Sequence, residues 1–352
     1  MKNLLRKSKF ARNAVAFYRR TINHEKRSTR QIIGEGTDLL IIAPGEMEIP
    51  NNGWGAVEFL LWKQFLAFKE NGMQVTILNS WFHRDWIRCY AKRPTAILLH
   101  YDVFSKRCFF YKIFYPKIPV YVVSHFGYAA FPERYSQGYQ KTLKWTSRMN
   151  VIIALSPAVK LAYENIGIES KIEVIPNGAD VLDFKTNKKV REIICLGKIE
   201  PRKQQIELSK AIPEEILIDF VGPFADQRLS QLSSKQRKRF LGPWSREKVN
   251  NELSKYKVLV LLSDGEADAL VLYEAQAAGC SIVISSKAAG SQNLGLPWVY
   301  IVDDWSILQS TLIEAIESNK IFSDQIIEYA RKNYSWSDNI TAYRRLIESG
   351  TL

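Results

Sequence analysis

The chain has 352 residues, 46% of them hydrophobic and 24% charged, which suits a soluble globular protein of two domains rather than one ordinary core. Its net charge of +13 is concentrated at the start: residues 1–30 hold ten bases against one acid, Glu25, leaving +4 for all the rest, and a body so nearly balanced argues against a nucleic-acid-binding fold. No apolar run approaches the ~20 residues that span a bilayer, no signal-peptide segment opens the chain, and Cys89, Cys108, Cys195 and Cys280 form no C-x-x-C pair, so a cytoplasmic protein with buried free thiols is expected rather than a membrane-spanning, zinc-binding or redox protein.

In chain order, residues 1–35 read as a basic arm. At 100° per residue Phe10, Ala14, Phe17 and Tyr18 gather on one side of a helix and Lys2, Lys9, Arg12 and Arg19 on the other. Such a segment is expected to lie in an anionic membrane interface. From Asp38 onward, strand-like and helix-like segments alternate. Strands are expected at Leu39–Ala43, Gln74–Leu78, Ala96–Leu99, Val120–Ser124, Val151–Leu155 and Lys171–Ile175. A helix is expected over Trp54–Asn71, stopped at Gly72, and another after Ser156-Pro157, with Ser as N-cap and Pro at the first helical position. A polar linker, Lys185–Lys189, precedes a second series with strands at Glu192–Leu196, Leu217–Val221, Arg239–Leu241, Val258–Leu262, Ser281–Ile284 and Val299–Val302. Helices are expected between them at Lys203–Ala211, Arg246–Lys255 and Leu270–Ala278. Alternation of this kind implies parallel sheets covered by helices. Two series imply an α/β protein of two Rossmann-like domains, over 36–184 and 190–333, with a cleft between them. The helix expected within 334–352 joins the first domain.

Three segments carry chemistry. In Gly265-Glu266-Ala267-Asp268-Ala269-Leu270-Val271-Leu272-Tyr273-Glu274, two carboxylates straddle a helix start at Leu270 and Val271 whose free N–H groups can hold an anion. That suits a ligand with phosphates in the middle and hydroxyls at both ends. In Gly197-Lys198-Ile199-Glu200-Pro201-Arg202-Lys203, Lys198 and Lys203 flank a turn and can neutralise a diphosphate. In Asn52-Gly53-Trp54-Gly55-Ala56-Val57-Glu58, Gly53 and Gly55 let a ligand approach the backbone, although Glu58 stands where a dinucleotide fingerprint needs its third glycine. Each segment alone is weak, and paired glutamates or loop lysines are commonly plain surface charge.

Their joint order, with Ile175-Pro176-Asn177-Gly178-Ala179-Asp180 and Tyr334-Ser335-Trp336-Ser337, resembles the GT-B retaining glycosyltransferases of the large family four group over about residues 38 to 349. The resemblance implies a nucleotide-sugar donor and a hexose-type sugar transferred, with retention, to a glycan or lipid-linked saccharide acceptor. Glu274 would bind the ribose hydroxyls, Glu266 hydroxyls of the donor sugar, and Lys198 and Lys203 the diphosphate. Gly53 and Gly55 would lie over the donor phosphates or the acceptor. His125 would stand near the reacting sugar, with His83 and His100 as weaker candidates. No metal and no separate cofactor are implied, and Asp303-Asp304 reads as a helix start. Two departures bear on the donor. The family's glycine-aromatic-glycine run is Ala267-Asp268-Ala269 here, which leaves less room and adds a carboxylate, and the arginine of the phosphate loop is Lys198. A sugar-nucleotide epimerase or hydrolase on this fold, or a non-catalytic binding protein built on it, are the competing readings.

Overall fold

The structure is a computed structural model that describes residues 29–350, apart from 52–54, 126, 128, 133–137, 186 and 214. The basic arm over residues 1–28 therefore lies outside the described residues.

The first domain is built on seven strands: β1 (Arg30–Ile33), β2 (Leu39–Ile42), β3 (Val75–Ser80), β4 (Ala96–Leu99), β5 (Val120–Ser124), β6 (Val151–Ala154) and β7 (Lys171–Val174). Their spatial order is β1-β3-β2-β4-β5-β6-β7. All neighbours are parallel except β1, which runs antiparallel to β3 in the register Arg30 to Ser80 and Ile33 to Ile77. That strand corrects the sequence reading, which placed residues 30–35 in the arm. The β-branched pair Ile32-Ile33 suits a pleated edge, and Arg30 fixes the register by donating Nε and Nη2 to the Asp85 carboxylate at 2.9 and 3.1 Å. The connecting helices are α1 (Ala56–Glu70), α2 (His83–Ala91), α3 (Ser105–Phe114), α4 (Gly138–Thr146) and α5 (Pro157–Asn165). Ser156 caps α5 by accepting from the Val159 N–H, with Pro157 at the first position, as the dipeptide predicts.

The second sheet has six strands, all parallel: β8 (Arg191–Leu196), β9 (Ile218–Val221), β10 (Phe240–Gly242), β11 (Tyr256–Leu261), β12 (Ser281–Ile284) and β13 (Val299–Ile301), in the order β10-β9-β8-β11-β12-β13. Helices α6 (Gln205–Ala211), α7 (Ser234–Arg237), α8 (Arg246–Glu252), α9 (Leu270–Ala277) and α10 (Leu308–Asn333) surround it. The strands are apolar almost throughout because both faces are covered. In β2, Leu39 and Ile41 join one core while Leu40 and Ile42 join the other. In β8, Ile194 and Leu196 face one side, Ile193 and Cys195 the opposite side. All four cysteines are buried and free.

The last helix, α11 (Trp336–Gly350), returns to the first domain. Phe68 of α1 meets Tyr343 edge-on at 6.2 Å, and the Tyr121 hydroxyl of β5 donates to the Leu346 and Ile347 carbonyls. Gly178 lets Trp336 seat against the turn after β7, since a Cβ there would stand 2.8 Å from the indole.

Candidate functional site

The carboxyl ends of the two sets of parallel strands face each other. Strand order reverses between β2 and β4 in one sheet and between β8 and β11 in the other, and loops diverging at such a reversal leave a crevice for ligand. Here the two crevices meet in one cavity of about 670 Å³. The loops after β2, β5, β6 and β7 line one side and those after β8, β9, β10 and β11 the other.

The second-domain wall is densely charged. Glu266, after β11, is held by Arg202 Nη1 at 2.9 Å and Lys203 Nζ at 3.5 Å. Burial alone would raise its carboxyl pKa, but Lys203, Arg202 and the Ser263 hydroxyl reverse the effect, so it sits below the usual carboxylate range and is ionised. Its Oε1 is buried against these two cations. Arg202 is fixed by Glu200 at 2.8 Å and by the Gly265 carbonyl. Lys198 is more loosely placed, half-exposed and 3.8 Å from Glu200. Glu274, one turn into α9, is paired at 2.5 Å with Arg246 Nη1. The Arg246 guanidinium also lies 4.5 Å over the Phe59 ring of α1, so this pair reaches across to the first domain.

Between Glu266 and Glu274 the chain turns into α9 at Leu270 and Val271, both at the cavity wall. Ala269, the N-cap, provides no side-chain cap; the Leu272 N–H donates to the Ala269 carbonyl at 3.1 Å, which leaves the Leu270 and Val271 N–H groups without a partner within the helix. Asp268 is also at the cavity wall, and its carboxylate accepts hydrogen bonds from the Asn177 N–H at 2.9 Å, the Ser291 N–H at 3.1 Å and the Tyr273 hydroxyl at 2.7 Å. Burial pushes its pKa up to about 7 against those donors. Asn177 follows β7, so Asp268 ties the two domains together, and Asn177 Nδ2 returns a bond to the Asp268 carbonyl. A second tie runs from the Ser291 hydroxyl to the Leu155 carbonyl at 2.8 Å.

The first-domain wall is nearly uncharged. Gly55 and Asn51 border the cavity, whereas Gly53 lies outside the described residues. His125 follows β5 and also borders the cavity. Its Nε2 is 2.8 Å from Nδ1 of buried His100, and the two rings stack at 5.0 Å. Burial lowers the His125 pKa to about 4 and that of His100 well below its ordinary value, so both imidazoles are neutral at pH 7. His100 therefore orients His125. His83 starts α2 outside the cavity lining. Among the described residues, no cluster of His, Cys, Asp and Glu has the makings of a metal site. Asp304 caps the short helical turn after β13 by accepting from the Ser306 N–H at 2.9 Å.

The cavity thus gathers Gly55, His125, Lys198, Lys203, Glu266, Leu270, Val271 and Glu274. Arg202 and Arg246, the cations in closest contact with the two glutamates, were not singled out from the sequence. Arg202 sits beside Lys203 in the same segment, and its direction depends on the turn at Pro201. Arg246 is the first residue of α8, 28 residues before its partner Glu274, where only Ser245 as an N-cap marks the helix start.

Two facing α/β domains, with carboxylates and cations placed along one helix start, define a two-domain transferase-like architecture. Comparison with known families makes this specific. Residues 180–333 match the model of glycosyl transferases group 1, and residues 29–181 match that of glycosyltransferase family 4. This chain belongs to that glycosyltransferase family, and its fold is GT-B. Sucrose-phosphate synthase from Thermosynechococcus elongatus is similar in structure, with a TM-score of 0.70 at 15% identity over 88% of this chain and 99% of that one. Anabaena HepE, solved in complex with UDP, gives 0.70 at 14% identity over 89% and 100%. AviGT4, a glycosyltransferase involved in avilamycin A biosynthesis, gives 0.62 at 13% over 89% and 97%. Among curated proteins, none matches by sequence.

Proposed function

We propose that this chain transfers a hexose-type sugar from a nucleoside-diphosphate sugar to a glycan or lipid-linked saccharide, with retention, on the cytoplasmic side of a membrane. The observation that carries the reading is the pair Glu266 and Glu274 on either side of the α9 start, each partnered by cations in one cavity. Glu274, held by Arg246, would accept hydrogen bonds from the ribose hydroxyls, and Glu266 from hydroxyls of the donor sugar. Lys203, Lys198 and Arg202, with the first-turn N–H groups of α9, would hold the diphosphate. HepE was solved with UDP and with UDP-glucose, which supports a donor of this kind. His125 and the Gly53–Gly55 loop would face the reacting sugar and the acceptor.

In the proposed reaction the bond from the anomeric carbon to the β-phosphate oxygen breaks, and its electron pair stays on the phosphate. The acceptor oxygen bonds to that carbon from the same face, and its proton passes to the departing diphosphate. Negative charge on the leaving group is greatest in the transition state, where fixed cations lower the barrier most. No metal takes part, and the basic arm would hold the enzyme near a lipid-borne acceptor. The test is a thermal-shift screen of nucleoside diphosphates and their sugars, followed by product analysis with a saccharide acceptor. Stabilisation by a nucleoside diphosphate together with acceptor-dependent product supports the reading. Conversion of the donor without acceptor would assign a hydrolase or epimerase instead. Absence of any nucleotide-dependent stabilisation would overturn the site.

A further inference from the structure

Helix α3 is apolar on both sides. Its inner side, with Phe104 just before it, Cys108 and Tyr111, packs on the core between the first sheet and α2. At 100° per residue, Phe110, Ile113 and Phe114 fall on the opposite side with Val103 and Lys106. Those apolar groups are exposed by 49%, 60%, 78% and, for Val103, 41%. A helix on a solvated surface carries polar groups there, and three neighbouring large apolar side chains around one turn form a patch rather than scattered exposure.

The segment that carries the patch is basic. Between Val103 and Met149 the sequence holds eight bases and one acid, Glu133, a balance of +7. The chain after residue 30 carries +4 in all, so the remainder of the body is −3. At the rim, Trp145 of α4 packs beside Phe109 and Phe110 at 5.2 and 5.9 Å. Its indole carries Lys106 at 5.7 Å and Arg148 at 4.9 Å. An apolar strip with an indole at its edge and cations around it has the composition of a membrane interface.

We propose that the outer face of α3 and α4 docks on an anionic lipid surface, with Phe110, Ile113 and Phe114 entering the headgroup boundary and Lys106, Lys144 and Arg148 meeting the lipid phosphates. Charge selects this occupant. The chain's own arm and a second copy of this face are both basic and would be repelled. A nucleic acid would engage the cations and leave the aliphatic Ile113 and Val103 in water. The face is separate from the cleft, so the inference stands independently of the transfer reaction.

The experiment uses the full chain with vesicles of phosphatidylcholine and phosphatidylglycerol, and with phosphatidylcholine alone, read by co-sedimentation across a salt series. Salt screens the attraction of the arm's bases and of the basic rim but leaves apolar insertion largely intact, that of the arm's apolar side included, so the series is run both in the parent and in a full chain carrying Phe10→Ser, Phe17→Ser and Tyr18→Ser. Both should therefore keep a salt-resistant fraction on anionic vesicles. In the arm-substituted chain, Phe110→Ser with Phe114→Ser should reduce that fraction at least about tenfold, and Lys144→Glu with Arg148→Glu should weaken binding at low salt by a similar factor. Circular dichroism melting guards against unfolding, and hydrogen exchange on vesicles should show protection over residues 105–117. Unchanged salt-resistant binding by the Phe110/Phe114 variant, protection confined to other segments, or no vesicle binding by the parent would overturn the proposal. So would loss of self-association, or of binding to a DNA or RNA oligonucleotide, as the only effect of these substitutions.

Discussion

The two walls of the cleft solve different problems. The second-domain wall sets ionised side chains against one another: Glu266 with Arg202 and Lys203, Glu274 with Arg246. The first-domain wall offers small residues, Gly55 and Asn51, and a neutral imidazole. A wall of paired charges is suited to bind charge and to stabilise more as it develops. A neutral wall can shape the site without competing for the phosphates. Substitutions should therefore hurt in different ways on the two sides, and that contrast can be tested.

The largest losses are expected at the glutamates. Glu266→Gln leaves Arg202 and Lys203 without their shared counter-charge in a buried site, and should lower kcat/KM about a hundredfold. Glu274→Gln should lower it about tenfold, mainly through donor KM, if Glu274 holds the ribose as proposed. Steady-state kinetics on both variants, with circular dichroism as the folding control, checks this. Near-normal turnover by both would remove the charged wall from the mechanism.

The cations should follow, and unequally. Lys203 is largely buried beside Glu266, whereas the Lys198 side chain is 56% exposed and 3.8 Å from Glu200. Lys203→Ala is expected to slow single-turnover transfer at saturating donor by about a hundredfold, and Lys198→Ala by about tenfold or less, because water screens an exposed cation. An effect on donor affinity alone, with an unaltered chemical rate, would show that these cations bind the ground state only.

On the neutral wall the prediction concerns pH. With burial lowering the His125 pKa to about 4, the imidazole is neutral throughout the range in which an ordinary histidine titrates. The kcat profile should lack an inflection near pH 6.5. His125→Ala should reduce kcat a few-fold to about thirtyfold without creating one. His100→Ala should give a smaller loss, since it acts through the 2.8 Å contact that orients His125. A histidine-like inflection in the parent that disappears in His125→Ala would make His125 a proton-transfer group instead.

This contrast also explains what could be read from the chain. Both sheets were legible because strands buried on two faces are short continuous apolar runs, as in Leu39–Ile42 and Ser281–Ile284. The edge strand β1 was not, since its pairing with β3 crosses some forty residues and its first residue, Arg30, looks like the end of the basic arm. Glu266, Glu274 and Lys203 stand in contiguous motifs that keep their spacing on a helix start. Arg246 and the link from His100 to His125 join separate strand ends, and only the fold brings them together. The part of Asp268 in the domain tie was hidden for a similar reason: its partners, Asn177 and Ser291, are distant in sequence on either side.

Asp268 gives the smallest effect on catalysis and the sharpest test of how the walls are joined. Its pKa is raised from the ordinary carboxylate value to about 7, chiefly by burial, with the Asn177 and Ser291 N–H groups and the Tyr273 hydroxyl opposing. Between about pH 4 and pH 7 the folded protein therefore holds a proton that the unfolded chain has released. Stability from this group is greatest near pH 4, falls as pH rises, and is level above about pH 7. Asp268→Asn cannot titrate and lacks that slope. Subtracting its melting curves from those of the parent cancels other groups, including Glu266, whose depressed pKa acts in the opposite direction. The parent-minus-variant stability should fall by about 2 to 4 kcal/mol from pH 4 to pH 7.5, while transfer activity at pH 7.5 stays within a few-fold of the parent. A difference that rises with pH would mean that the three donors outweigh burial and that Asp268 is ionised in the tie. A large loss of activity without a change in stability would move Asp268 from the domain tie to the ligand.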